Sequence, residues 1–255
     1  MNILVLLKQT FDTEEKITLK DGKVSEEGVE FVINPYDEYA VEEAIKLKEE
    51  FGGEVTVLSL GPDRFESSIR TALAMGADKA ILVDDPDLFG DEFTSAKVLA
   101  KIIEEQSFDL ILAGYVAVDD GSGQVPQRIS EILGIPVIST AVKIEVDGSN
   151  VTVNRDVEGD TEILETKLPV IITAQQGLNE PRYPSLPGIM KSKKKPLDRL
   201  TAGDLGLSSE ESATKTEIIE TFLPSKKEAG RVLSGELKDQ ANDLIQLLKN
   251  EAKVI

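Results

Sequence analysis

Apolar positions along the chain follow two alternating rhythms. NILVLL (Asn2–Leu7) is a short, nearly continuous run of branched apolar residues, the pattern of a buried strand. In NPYDEYAVEEAIKLKEEFGG the spacing changes. Ala40, Val41, Ala44, Ile45 and Leu47 fall on one face of a helix, with Asn34 at the N-cap, Pro35 at the first helical position, Asp37 and Glu38 at the positive end, and Gly52 as the stop. The alternation then repeats. EVTVLSL (Glu54–Leu60) predicts a strand stopped by Gly61-Pro62, DRFESSIRTALAMG a helix closing at Gly76, KAILVDD a strand, and DEFTSAKVLAKIIEEQ a helix. DLILAG (Asp109–Gly114) predicts a strand that opens into a polar, Gly-rich loop. VPQRISEILG predicts a short helix and PVIST another strand. Strands alternating with helices predict βαβ units and a parallel sheet covered on both faces.

Two stretches break this rhythm. ITLKDGKV carries an Asp-Gly turn between β-type residues and predicts a small hairpin. From about residue 141, VKIEVDGSNVTVNRDVEGDTEILETKLPVIITA alternates apolar and polar residues, with turns at Asp147-Gly148 and Gly159. It predicts antiparallel strands inserted before a last buried strand, PVIITA. The expected fold is α/β and Rossmann-like: a mostly parallel sheet with an antiparallel insertion over residues 1–200, then a linker and C-terminal arm over 201–255. In the arm, Leu237, Ala241, Leu244, Ile245 and Leu248 share a helical face that could dock on its own domain or on another chain.

Charge and composition narrow the function. With Asp and Glu outnumbering Lys and Arg 47 to 28, the net charge of −19 opposes nucleic acid and anionic membranes. The chain has no Cys and no His. Disulfides, thiolate metal sites, Cys nucleophiles and His-based triads are excluded, as is the usual neutral-pH proton shuttle. That palette suits binding or carrying better than acid–base catalysis, and no catalytic residue or metal site is assigned. The apolar run Ile3–Leu7 is too short for a signal sequence and ends at Lys8. No run approaches the roughly 18 apolar residues of a membrane span. The expectation is a soluble cytoplasmic protein without stable membrane insertion.

In an open parallel sheet, ligands bind beyond the carboxyl ends of the strands. Those ends read Leu6-Leu7-Lys8-Gln9, Leu60-Gly61-Pro62 and AGYVAVDDGSGQVP (Ala113–Pro126). Gly121 and Gly123 let backbone approach a ligand, and the helix that follows presents amides suited to a phosphate. The same stretch also reads as an ordinary Gly-rich βα loop. Asp119-Asp120 reads as a solvated loop pair, and NPYDEYA first of all as a helix start. RYPSLPGIMKSKKKP (Arg182–Pro196) is broken by Pro and Gly and predicts a loop, yet carries Leu186, Ile189 and Met190 beside four lysines. Such a knot is ordinarily a solvated basic patch, but apolar anchors with a charged rim also make a protein-docking surface.

These pieces occur together, in order, in one family. From Met1 almost to Ile255 the chain resembles the β subunit of electron transfer flavoprotein. The most specific stretch is VNRDVEGDTEILETKLPVIIT, which matches at Val153, Arg155, Glu158, Gly159, Asp160, Glu162, Leu164, Pro169, Ile171, Ile172 and Thr173. NPYDEYAVEEAIKLKE, RTALAMGAD and LNEPRYPSLPGIMKSKKKP are equally typical. The resemblance implies an electron carrier rather than an enzyme. It implies an α-subunit partner that holds most of the FAD site, acyl-CoA dehydrogenases as electron donors, and a membrane quinone oxidoreductase as acceptor. It further implies a structural AMP in the β subunit, contacted by Leu6, Asn34, Pro35, Tyr36, Asp37, Leu60, Gly114, Val118, Asp119, Asp120, Gly121, Ser122, Gly123, Gln124 and Val125. The family's recognition loop falls on Arg182–Lys195, with Leu186 as anchor beside Tyr183, Pro187, Ile189, Met190, Lys191 and Lys194. Asp156 matches an acidic position that helps hold the mobile flavin domain of the α subunit, and the C-terminal helix is expected to reach that subunit.

One stretch departs from the pattern. Many AMP-binding relatives carry Asn and Thr where this chain has Gly123 and Val125. The Gln124-Val125 pair is similar to electron-bifurcating relatives, whose β subunit binds a second FAD in place of AMP and whose complex oxidises NADH. LPGIMKSKKKP and Asp119-Asp120 are similar to the non-bifurcating pattern, which favours AMP. Nucleotide-binding stress proteins and ATP-pyrophosphatase-like enzymes share the expected fold. An ATP-hydrolysing or adenylating enzyme would need a phosphate loop after the first strand, and LLKQTFDTEE offers no Gly or Ser cradle there.

Overall fold

The computed structural model describes residues 1–208, 213–225 and 229–255. The chain runs β1 (Asn2–Leu6), β2 (Gln9–Phe11), β3 (Leu19–Lys20), β4 (Lys23–Val24), β5 (Phe31–Ile33), α1 (Pro35–Phe51), β6 (Glu54–Leu60), α2 (Glu66–Met75), β7 (Lys79–Val83), α3 (Glu92–Glu104) and β8 (Leu110–Gly114). It continues through α4 (Val125–Leu133), β9 (Val137–Asp147), β10 (Asn150–Val157), β11 (Asp160–Lys167), β12 (Val170–Ala174), α5 (Leu186–Ser192), β13 (Leu197–Leu200), α6 (Ala202–Leu205) and α7 (Leu237–Leu247).

Alternate residues of the central strands feed two separate cores. Ile3, Val5 and Leu7 join α1 and α2 through Ala40, Val41, Ile45, Ile69 and Leu73. Leu4 and Leu6 join α3 and α4 through Val98, Leu99, Ile102 and Ile129. Burial on both faces is why these strands read as continuous apolar runs rather than alternating ones.

Among the described residues the main sheet has nine strands in the order β11-β10-β9-β12-β8-β1-β6-β7-β13. Every pairing from β9 to β13 is parallel, and β10 and β11 add an antiparallel hairpin. From β1 the chain builds outward through β6 and β7, then crosses by α3 to β8 on the other side of β1. The topological switch point therefore lies between β1 and β8.

The structure amends the sequence reading in four places. PVIST and the first inserted strand are one strand, β9, which pairs in parallel with β12 up to Ala141 and antiparallel with β10 beyond it. The change of partner occurs at Thr140, a non-glycine residue with φ of 59°. Its amide donates to Thr173 Oγ1 at 3.1 Å and its hydroxyl to the Asp156 carbonyl at 2.8 Å, which hold it there. Two short pairings went unpredicted: β13 on the edge beside β7, and the β2–β5 ribbon. The expected loop at 182–196 holds a seven-residue helix, α5. Ser185 caps it by accepting from Gly188 N at 3.1 Å, and Pro187 sits in its first turn, so the residues that suggested a break start a helix. Finally, Asn34 stands at the N-cap of α1, but its side chain makes no capping bond.

The chain divides into two compact units: Met1–Ile17 with Glu26–Ile219, and Thr18–Ser25 with Glu220–Ile255. The second unit holds the β3–β4 hairpin and α7, which continues as a π-type turn over Leu248–Ala252. None of the residues of α7 is buried. Among the described residues no helix is long and apolar enough to cross a membrane.

Candidate functional site

A cleft of about 520 Å³ opens at the switch point, over the carboxyl ends of β1, β6 and β8. Asp37, in the first turn of α1, ties its walls together. One carboxylate oxygen accepts from Lys8 N at 2.7 Å, just past β1, and the other from Gly114 N at 2.8 Å and Asn34 Nδ2 at 3.0 Å. Burial pushes this carboxyl up to about 6, against the opposing pull of those donors. Gly114 is required at the crossing, because a Cβ there would collide with Asp37 Oδ1 and lie 2.7 Å from Tyr36 Cβ.

Asn34 is the second tie. Besides its bond to Asp37, its amide donates to Val116 O at 2.9 Å and its Oδ1 accepts from Val118 N at 3.2 Å, so it fastens the loop after β8 to the start of α1. Lys8 makes the third: its ammonium takes Asp119 at 2.7 Å and Asp120 at 2.6 Å. Burial opposes its charge, but the two carboxylates outweigh that and raise the Lys8 pKa. Asp119 and Asp120 are thus ion-paired, not merely solvated, and their charge in the cleft is partly neutralised.

Past these ties the loop turns through Gly121 (φ 67°) and Gly123 (φ 58°) into α4. Among the described residues no side chain caps α4. Its leading amides carry the positive end of the helix dipole into the cleft wall formed by Gly123–Pro126. Leu58, Leu60, Phe65 and Leu99 supply an apolar floor. An apolar floor with a few convergent donors is the usual make-up of a small-ligand site, and the volume lies within the usual range for such sites, about 300–1,000 Å³. Among the described residues no group of Asp and Glu converges to hold a metal.

Of the residues expected at this site, Leu6, Asn34, Asp37, Leu60, Gly114, Asp120, Ser122, Gly123, Gln124 and Val125 line the cleft. Pro35, Tyr36, Val118, Asp119 and Gly121 do not line it. Tyr36 packs edge-on against Tyr115 at 4.5 Å, and Pro35 begins α1. The Gln124 carboxamide oxygen accepts from Arg128 at 2.7 Å. Sequence reasoning missed Phe89, Gly90, Asp91 and Ser95 at the start of α3, and Thr216 and Ile218 in the later linker. The former sit past β7, a strand end that was readable. No local pattern marks the latter.

The expected docking residues form a second surface. Tyr183, Leu186 (79% exposed), Pro187, Ile189 and Met190 are exposed together with Lys191, Lys193 and Lys194. The helix that presents them is bolted down. Arg182 pairs with buried Glu42 at 2.9 Å and with Glu49 at 2.6 Å, which raises the Arg182 pKa. Arg70 donates to the carbonyls of Ser192 (2.8 Å) and Lys195 (2.9 Å). Gly188 packs on α2 so closely that a Cβ would collide with the Ala74 carbonyl oxygen. Asp156 sits half-buried on β10, opposite Thr161 of β11.

The electron transfer flavoprotein domain family matches residues 21–205, which hold α1, the loop after β8, and α5. The chain is 54% identical to electron transfer flavoprotein subunit beta of Bacillus subtilis, covering all of both chains. It is 46% identical to the subunit of that name in Syntrophomonas wolfei (100% of this chain, 98% of the relative) and 36% identical to the Homo sapiens one (100% and 99%). The chain belongs to the electron transfer flavoprotein subunit beta family. Full-length coverage means that the β10–β11 hairpin and the C-terminal arm of this electron transfer flavoprotein chain are shared parts of the family, not local additions.

Proposed function

We propose that this chain is the β subunit of a heterodimeric electron carrier. It pairs with an α subunit that holds most of the FAD site. The pair accepts electrons from acyl-CoA and related dehydrogenases and passes them to a membrane quinone oxidoreductase. The flavin supplies the redox chemistry. This chain supplies a bound AMP as a structural element and a surface for the electron donor. Soluble placement in the cytoplasm accords with a carrier that meets several partners.

The observation that carries the reading is the switch-point cleft. Three strand-end ties, from Asp37, Asn34 and Lys8, shape a mixed apolar and amide-lined cavity beside an uncapped helix start. The amides of Gly123–Val125 would take the phosphate and the Leu58–Leu60 wall the base. The Asp119-Asp120 pair, which bridges to Lys8, and the LPGIMKSKKKP stretch are similar to the non-bifurcating pattern, which supports AMP over a second FAD. For the docking surface, exposed Leu186 is the anchor, and Lys191 and Lys194 steer acidic partners toward an otherwise acidic carrier.

The test is direct. The αβ complex is purified and denatured, and the released nucleotides are quantified by chromatography. One FAD and one AMP per heterodimer supports the single-flavin carrier. Two FAD and no AMP would replace it with a bifurcating NADH-oxidising form, the alternative favoured by Gln124-Val125. Neither nucleotide would sink the cleft assignment.

A further inference from the structure

After α6 the chain returns to the carboxyl end of the sheet and lies against the turn that precedes α3. Asp91 stands at this junction and divides its carboxylate between two tasks. Oδ1 caps α3 by accepting from Thr94 N at 3.0 Å. Oδ2 accepts from Lys215 N at 2.7 Å, Thr216 N at 2.9 Å and Thr216 Oγ1 at 3.1 Å. Around it the fit is close. The Lys215 ammonium sits 5.3 Å from the centroid of the Phe93 ring, and a Cβ on Gly90 would lie 2.9 Å from Thr214 Cγ2. Beyond the junction, Thr216 and Ile218 line the same cleft as Leu6 and Gly114. Ile218 is 84% exposed there, an apolar side chain facing a cavity that its own fold leaves open.

We propose that residues 214–218 form a retaining strap of the nucleotide site, with Asp91 as its latch, so that bound nucleotide leaves only when the strap lifts. The inference rests on the cleft holding a nucleotide. Its own ground is the geometry: a linker has no need to commit both backbone donors and a hydroxyl to one carboxylate unless its position over the cleft matters. A charged acceptor strengthens all three bonds. Desolvation works against the Asp91 charge, but the amides of Thr94, Lys215 and Thr216 outweigh it and hold the carboxyl well below the usual carboxylate range. The latch is therefore charged throughout the neutral and mildly acidic range.

Two substitutions in the αβ complex separate the tasks. Asp91→Ser keeps a hydroxyl to cap α3 and removes the oxygen that holds the strap. Lys215→Pro leaves Asp91 intact and removes one strap donor. Each complex is dialysed against charcoal, and the AMP remaining per heterodimer is followed with time by chromatography. Circular dichroism checks the fold. Both variants should release nucleotide at least about tenfold faster than the unsubstituted complex. If only Lys215→Pro folds, it decides alone. Release at the unsubstituted rate would overturn the strap and leave the cleft assignment standing. An unsubstituted complex with neither AMP nor a second FAD would overturn both. If FAD occupies the cleft instead of AMP, the same comparison is read on the second FAD per heterodimer.

Discussion

Lys195 reaches back to Leu73: its ammonium donates to the Leu73 carbonyl at 2.8 Å and to that of Ala77 at 2.5 Å, at the carboxyl end of α2. A cation there meets the negative end of a helix dipole and satisfies carbonyls that have no intrahelical partner. One member of the lysine knot is thus a fastening, not part of a steering field. Lys195→Met should destabilise the fold by about 1–2 kcal/mol, read as a lower Tm. Lys194→Ala should leave Tm unchanged and instead flatten the ionic-strength dependence of the docking rate. If the two variants behaved alike, this division of labour would be wrong.

Gly188→Ala runs against ordinary helix propensity. Alanine normally gains roughly 1 kcal/mol over glycine inside a helix. Here the added methyl would meet a backbone oxygen of Ala74, which cannot swing aside. We expect a lower Tm, by the roughly 1–3 kcal/mol typical of overpacking, together with slower electron transfer from the dehydrogenase as α5 is pushed off α2. A stabilised variant would mean that the two helices are not in such close contact.

Arg182→Ala strands Glu42, a carboxylate buried in α1 whose ion-pair partner is that guanidinium. Removing one partner of a buried pair costs roughly 3–5 kcal/mol, lowered here because Arg182 is part-exposed. The bond to exposed Glu49 adds little. Thermal unfolding of Arg182→Ala, Glu42→Gln and the double variant should show strong non-additivity. Additive losses would mean that the pair is not coupled.

Leu186→Ala should slow electron transfer from an acyl-CoA dehydrogenase by about tenfold or more, the loss typical of an interface anchor. Flavin content and Tm should not change, because the side chain is exposed. Stopped-flow flavin reduction gives the rate. Unchanged kinetics would remove Leu186 from the docking surface.

Asp37 gives a pH signature. Its folded pKa of about 6 lies above the ordinary value of 3.8, so the native state binds the extra proton between these values. Its contribution to stability is therefore fully present below pH 4 and is lost as pH rises toward 6. An asparagine in its place does not titrate. The stability advantage of the unsubstituted protein over Asp37→Asn should shrink from pH 4 to pH 6, by about 2–3 kcal/mol, and stay level above. With no histidine in the chain, no other side chain of ordinary pKa titrates between pH 6 and 8 to mask that plateau. A Tm difference that grew over pH 4–6 would contradict the assignment.

The βα alternation was legible because strands buried on both faces and one-sided helices differ in period, and the strand ends that line the cleft followed from it. What escaped was either short or long-range. β13 pairs through four residues after a proline, too few to show a period. In α5 the helix-start signals Ser185 and Pro187 were present, but Gly188 read as a break. Its reason is the facing Ala74 carbonyl, which local sequence does not reveal. Asn34 and Asp37 look like ordinary helix-start residues, and only the tertiary fold turns their side chains onto Val116, Lys8 and Gly114. Asp91 and Thr216 lie 125 residues apart, with no pattern linking them.

The bend at Thr140 makes β9 a hinge-free splice between two kinds of sheet. On one side its amide is fixed to Thr173 of β12, and on the other its hydroxyl is fixed to the Asp156 carbonyl of β10. The hairpin is held besides by the β9–β10 ladder and by Val151 and Val153, which are buried in the core. A load applied at Asp156 enters the central sheet through Thr140, next to the strand that flanks β8 and the cleft.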